Sequence, residues 1–214
     1  MDIGVPLREL GEIDSVALRE VILGLDDGVW LENRFRQKAY DVHTQTNSLV
    51  MLFTDGQGWP DIEISRESAW DLLQNEAMPL MDSILKEFYP PGGTIVRAMA
   101  AKLLAGGIIK PHSDTHPSFH AGHRIHIPIT TNSRVRFMID GQPYHFEVGK
   151  GYEINNQKTH SPSLNSCIIF FLTMNGIGVK HKLVTDHNDP TGDLCSEGLK
   201  IVWTTTTKVD DFCI

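Results

Sequence analysis

The spacing of apolar and polar residues along this sequence is helical in its first half and changes after Gly93. The segment 14–25 carries apolar residues at helical spacing, which predicts an amphipathic helix. The segment 65–88 has the same periodicity, and Pro79 inside it predicts two helical pieces joined near that residue. Residues 39–53, between these helices, are expected to be extended.

After Gly93 the pattern changes to short apolar or alternating stretches separated by turn residues such as Asp140-Gly141. Many short strands with no helices between them predict an antiparallel barrel or jelly roll. Helices followed by strands give an α+β order, in which the N-terminal helices buttress one face of the barrel. The predicted strands are 95–104, 108–113, 124–130, 134–139, 144–148, 152–155 and 167–174.

These patterns divide one predicted domain into three parts. Residues 1–93 should form N-terminal helices and a strand that pack on the barrel. Residues 94–175 should form the barrel itself. Residues 176–214 have poor periodicity and are expected to form an irregular C-terminal cap or arm.

Composition narrows the functional classes. The chain has 214 residues and a net charge of -8, so nucleic acid and anionic membranes are not expected partners. Three scattered cysteines show neither zinc spacing nor a disulfide framework, and no segment is typical of a signal peptide or a membrane span. We therefore expect a cytoplasmic protein. The oligomeric state stays open.

Five of the ten histidines lie in PHSDTHPSFHAGHRIHIPI, which begins at Pro111. His112 and Asp114 form a His-x-Asp pair at the end of a predicted strand, so their side chains should share one face. His160 follows a later predicted strand. Two histidines and one carboxylate in this order are typical of the facial triad that binds Fe(II).

Arg124 and His126 should share a face of the next strand, where a guanidinium suits a bidentate carboxylate ligand. The alternative is that Arg124 pairs structurally with Asp114 and that His126 is a core histidine. Three further histidines are expected in a solvated loop between strands: His116, His120 and His123.

The segment 101–174 contains, in this order, AKLLAGGIIKPHSD, HRIHIPITTN, RVRFMIDGQPYHFEVGKGYEINN and KTHSPSLNSCIIFFL. With these motifs it resembles the aspartyl/asparaginyl β-hydroxylase family of Fe(II)- and 2-oxoglutarate-dependent oxygenases, including its small bacterial and phage members and the free-proline hydroxylases. The resemblance covers about a third of the chain.

The resemblance implies a double-stranded β-helix, a cupin-like jelly roll. It also implies that His112, Asp114 and His160 bind Fe(II), and that Arg124 and His126 contact the cosubstrate 2-oxoglutarate. The implied reaction is a dioxygenase reaction that consumes O2. It hydroxylates a C–H bond in the side chain of an amino acid, peptide or protein and releases succinate and CO2.

One departure from the family is visible. The family places an arginine some residues beyond the distal histidine for the far carboxylate of 2-oxoglutarate, whereas NSCIIFFLTMN contains no basic residue. Lys102, Arg134 and Arg136 are candidate replacements. Two other functions stay open: a cupin-like metal-dependent oxidase that does not use 2-oxoglutarate, and a non-catalytic ligand-binding jelly roll.

Overall fold

The computed structural model describes residues 1–32, 45–54, 61–104, 107, 109–163, 169–177 and 182–183. Helices in these ranges are α1 (Val16–Gly24), α2 (Val29–Glu32), α3 (Trp70–Phe88) and α4 (Pro117–Ala121). The strands are β1 (Leu7–Glu12), β2 (Thr46–Phe53), β3 (Glu63–Arg66), β4 (Thr94–Leu103), β5 (His123–Pro128), β6 (Arg136–Ile139), β7 (Gln142–Tyr144), β8 (Lys150–Ile154), β9 (His160–Ser163), β10 (Ile169–Ile177) and β11 (Lys182–Leu183).

The strands form two sheets, and the fold is α+β as expected. The larger sheet has eight strands in the order β1-β8-β5-β10-β4-β2-β3-β11. The smaller sheet has three strands in the order β7-β6-β9. All pairs are antiparallel except β3 with β11. Because β1 pairs with β8 and β2 pairs with β4, N-terminal strands extend the sheet formed by later strands.

Alternating residues of the larger sheet point into two different cores. Ala98 and Ile125 face α1 and α3, and they belong to the apolar cluster that contains Leu73 and Ile84 of α3. The other face of the sheet shares a second apolar cluster with the smaller sheet, formed by Leu103, Ile109, Val135, Phe137, Ile139, Phe146, Tyr152 and Ile154. Helices therefore cover one face of the larger sheet and the smaller sheet covers the other, as the order of elements predicts.

Helix α3 is continuous, so the prediction of two helical pieces is wrong. Pro79 lies inside it, and the segment before Trp70 forms strand β3. Proline removes only one helical hydrogen bond, and buried side chains on both sides of it, including Ala77 and Met81, anchor the whole helix to the sheet.

Two predicted strands are absent or shifted. In 108–113, the described residues form no strand, and His112 makes only an isolated bridge with His160. Pro111 has no N–H to donate to a strand ladder. In 144–148, the strand ends at Tyr144. The Glu147 N–H donates instead to the Tyr152 hydroxyl (3.0 Å), outside any ladder.

Other predictions are confirmed with small shifts in the boundaries, including the helix over 14–25 and the strands at 95–104, 124–130, 134–139 and 152–155. The Asp140-Gly141 turn joins β6 to β7 with positive φ values of 51° and 77°, which suit a tight hairpin. Residues 39–44, the start of the last predicted strand and most of the predicted C-terminal cap lie outside the described residues. Helices long and apolar enough to cross a membrane are absent from the described part.

Replacing Leu73 by Ala should lower the free energy of unfolding by about 2–5 kcal/mol, because it opens a cavity between α3 and the sheet. Leu73 is fully buried, whereas its neighbour Leu72 is 39% exposed. Leu72→Ala is therefore the matched control, with an expected change of about 0.5 kcal/mol. Urea unfolding measures both variants, and equal losses of stability would contradict this packing.

Candidate metal centre

A reciprocal pair of backbone hydrogen bonds joins His112 to His160. The His160 N–H donates to the His112 carbonyl (2.8 Å), and the His112 N–H donates to the His160 carbonyl (3.1 Å). His112 lies in the loop after β4, and His160 is the first residue of β9. The bridge brings the two imidazole rings to a centroid distance of 4.6 Å.

Each of the two rings is oriented by a backbone carbonyl two residues earlier. Nδ1 of His112 lies 2.8 Å from the Lys110 carbonyl, and Nδ1 of His160 lies 2.9 Å from the Lys158 carbonyl. A carbonyl only accepts, so Nδ1 carries the proton in both rings and Nε2 keeps its lone pair. This tautomer is the one that an Nε2 metal ligand requires.

Asp114 completes the group. Its Oδ2 lies 3.6 Å from Nε2 of His160, and one possible ligand atom from each of His112, Asp114 and His160 lies within 4.8 Å of the others. Nε2 of His160 is buried and has no hydrogen-bond partner among the described residues. A buried acceptor without a donor is unfavourable, and a cation at this point would satisfy it.

Arg124 contacts Asp114 directly. Its Nη1 donates to Oδ2 of Asp114, and both side chains are mostly buried. The guanidinium also lies 5.0 Å from the ring centroid of Phe119 in α4. The structural pairing considered from the sequence is therefore present, and it places a fixed positive charge beside the three-residue group.

His126 follows on the same face of β5 and is 3% exposed. Its ring lies 5.4 Å from that of Phe137, within the core between the two sheets. Burial, and secondarily the charge of Arg124, holds the pKa of His126 well below its usual value of 6.5. Burial likewise lowers the pKa of His160 to about 3, so both rings are neutral.

Two imidazoles and one carboxylate on adjacent segments form a donor set that suits Fe(II) and similar divalent metals. The three residues predicted as ligands are thus brought together, with Arg124 in contact with one of them and His126 deeper in the same core. The donor types, the fixed tautomers and the buried Nε2 all fit a metal ion.

Residues 30–166 match the aspartyl/asparaginyl β-hydroxylase family. This match covers more than half of the chain. The chain belongs to the aspartyl/asparaginyl β-hydroxylase family. All five residues that the sequence resemblance picked out lie within the matched segment. A search of curated proteins finds no match to this chain.

One solved structure has a similar fold, and two others align less closely. An oxidoreductase of the 2OG-Fe(II) oxygenase family from Burkholderia pseudomallei aligns with a TM-score of 0.57 at 9% identity, over 81% of this chain and 84% of that one. A viral collagen prolyl hydroxylase from Paramecium Bursaria Chlorella virus-1 aligns with a TM-score of 0.48 at 8% identity, over 83% and 98%. A Pseudomonas putida prolyl-4-hydroxylase aligns with a TM-score of 0.45 at 12% identity, over 80% and 92%.

The residues suggested as replacements for the missing arginine of the family lie away from this centre. Lys102 lies on the helix-facing side of β4, where Nζ is 2.7 Å from Asp27. Arg134 and Arg136 are exposed, and Arg136 donates to the carbonyls of Ser133 and Val135. None of these side chains points into the core beside His126.

His123 does not lie in a solvated loop as expected. It begins β5, and its Nδ1 lies 2.5 Å from the buried carboxylate of Glu153, which also pairs with Arg8 at 2.6 Å. Sequence reasoning missed this network because Arg8 and Glu153 meet only through the pairing of β1 with β8.

Metal-free protein should lose stability as the pH falls from about 7 to about 5. His126 stays neutral in the folded state, whereas an unfolded histidine takes up a proton near pH 6.5, so acid favours the unfolded chain. His126→Gln should reduce the slope of unfolding free energy against pH by up to about 1.4 kcal/mol per pH unit. Urea titrations measure this slope.

His120→Gln changes an exposed histidine of the same sequence cluster and serves as the control. Its slope should match that of the wild type. A wild-type slope retained in His126→Gln would contradict a buried neutral ring at this position.

Proposed function

We propose that this protein is an Fe(II)- and 2-oxoglutarate-dependent dioxygenase that hydroxylates a C–H bond in the side chain of an amino acid, peptide or protein. The observation that carries the proposal is the group of His112, Asp114 and His160, whose ligand atoms lie within 4.8 Å of one another. Membership of the aspartyl/asparaginyl β-hydroxylase family supports it.

We also propose that the two sheets form a double-stranded β-helix. The support is that antiparallel strands of the larger and the smaller sheet share one apolar cluster, while α1 and α3 cover the outer face of the larger sheet. The metal ligands would then lie where the loop after β4 meets the start of β9.

In this proposal His112 and His160 hold the metal through Nε2, and Asp114 supplies the carboxylate oxygen. When bound, Fe(II) and 2-oxoglutarate supply the oxidation of an unreactive C–H bond by O2, with release of succinate and CO2. The carbonyls of Lys110 and Lys158 keep the two ligand rings in one tautomer and orientation.

Arg124 has two tasks. Its hydrogen bond to Oδ2 fixes the direction of the Asp114 carboxylate. Its positive charge and its forked donors favour an anionic ligand beside the metal, such as the oxo-acid end of 2-oxoglutarate. His126 stays neutral and offers a ring nitrogen to the same space, while Phe137 and Phe146 around it exclude water.

His112→Ala and His160→Ala should each abolish 2-oxoglutarate-dependent formation of succinate, because two ligands cannot hold the metal in a defined geometry. His120→Ala removes an exposed histidine of the same cluster and should retain wild-type turnover. Mass-spectrometric detection of succinate measures all three variants. Undiminished turnover in both ligand variants would contradict the assignment.

The absence of basic residues from 161 to 179 favours one competing function, a cupin-like oxidase that does not use 2-oxoglutarate. Anaerobic titration with Fe(II) and 2-oxoglutarate separates the classes. The dioxygenase should develop a weak visible charge-transfer band, whereas the oxidase would bind Fe(II) without it. A ligand-binding jelly roll would give neither signal.

A further inference from the structure

Strand register places a second arginine level with Arg124. Arg97 of β4 lies opposite Asn175 of β10, and Asn175 lies opposite Arg124 of β5. Because these three positions form one row across adjacent strands, they share a face of the sheet. Further along the same face, the next row contains Met99 and His126.

The side chain of Arg97 is buried and lies near the same aromatic ring as Arg124. It is 8% exposed and donates to the carbonyl of Thr54. Its guanidinium lies 4.4 Å from the ring centroid of Phe53 and 5.4 Å from that of Phe119. Arg124 lies 5.0 Å from the same Phe119 ring. Two guanidinium groups therefore flank one aromatic side chain next to Asp114.

Arg97 is distinctive among the cations that the structure describes. Arg97 and Lys102 are the buried members of that set, and Lys102 points to the helix-facing side and pairs with Asp27. On β4 and β5, the neighbouring positions that share the face of Arg97 and Arg124 carry no Lys or Arg: Met99, Ala101, Leu103, His126 and Pro128. Among the described positions of β4 and β5 on this face, the fixed positive charges are therefore those of Arg97 and Arg124.

We propose that Arg97 is a carboxylate-binding residue at the candidate metal centre and forms, with Arg124, a two-cation subsite for a dicarboxylate. The inference rests on the proposed function. Planar guanidinium groups bind carboxylates through paired hydrogen bonds, and a mostly buried site strengthens that interaction. Arg97 thereby supplies the charge that β10 lacks.

The carboxylate has two sources with the same chemistry. One is the distal carboxylate of 2-oxoglutarate, which the family binds with an arginine that this protein lacks after His160. The other is an acidic side chain of the substrate. In either case Arg97 should favour a ligand with a carboxylate over the same ligand with an uncharged group. Each case can therefore be tested with a pair of ligands that differ only in the carboxylate.

The first arm measures the affinities of 2-oxoglutarate and 2-oxopentanoate for Mn(II)-loaded protein without O2, by calorimetry. The two acids have the same carbon skeleton length, but only 2-oxoglutarate carries a distal carboxylate. If Arg97 binds that group, Arg97→Met should weaken 2-oxoglutarate binding by roughly 10- to 100-fold and leave 2-oxopentanoate binding unchanged. Arg97→Lys should keep part of the preference.

The second arm uses Mn(II)-loaded wild-type and variant proteins that are all saturated with 2-oxoglutarate. It compares the binding of N-acetyl-aspartate N-methylamide with that of the asparagine analogue. If the carboxylate belongs to the substrate, Arg97→Met should remove the preference for the aspartate compound in this arm. The preference for 2-oxoglutarate in the first arm should then remain.

Lys102→Met is the matched control, since it removes a buried cation of the same strand that points to the opposite face of the sheet. It should keep the wild-type preferences. Wild-type preferences retained by Arg97→Met in both arms would overturn this inference while leaving the proposed function intact. Wild-type protein that binds neither oxo acid in the presence of Mn(II) would overturn both.

Discussion

The candidate site depends on one reciprocal backbone interaction, the bridge between His112 and His160. It joins the loop after β4 to the start of β9, two segments that are distant in the sequence. The bridge fixes the spacing of the two rings, and the carbonyls of Lys110 and Lys158 then fix their tautomer. The candidate metal site is thus positioned largely by backbone groups, which leave Nε2 of His160 buried and available.

The second constraint is electrostatic. A protein with a net charge of -8 has to concentrate positive charge where it binds an anion. Arg124 faces Asp114 directly, and the register of β4, β10 and β5 sets Arg97 level with it. The same register keeps His126 in an apolar environment, where it remains neutral. Strand pairing therefore places two charged side chains, Arg97 and Arg124, in one row and the neutral His126 in the next.

The sequence was sufficient for features whose signal is local. Alternation predicted β4 and β5, and the His-x-Asp pair with a distal histidine identified the three residues that the structure brings together. It was insufficient where the decisive contact is distant along the sequence. Arg97 lies outside every motif and is set level with Arg124 only by strand register. Pro79 did not break α3 because tertiary packing holds the helix on both sides.

A crystal structure of the protein with Mn(II), grown without O2, would show directly whether these three side chains bind a metal. The proposed site should hold one ion at about 2 Å from Nε2 of His112, Nε2 of His160 and a carboxylate oxygen of Asp114, with both Nδ1 atoms still bonded to the carbonyls of Lys110 and Lys158. An ion bound through Nδ1, or bound away from these three side chains, would contradict it.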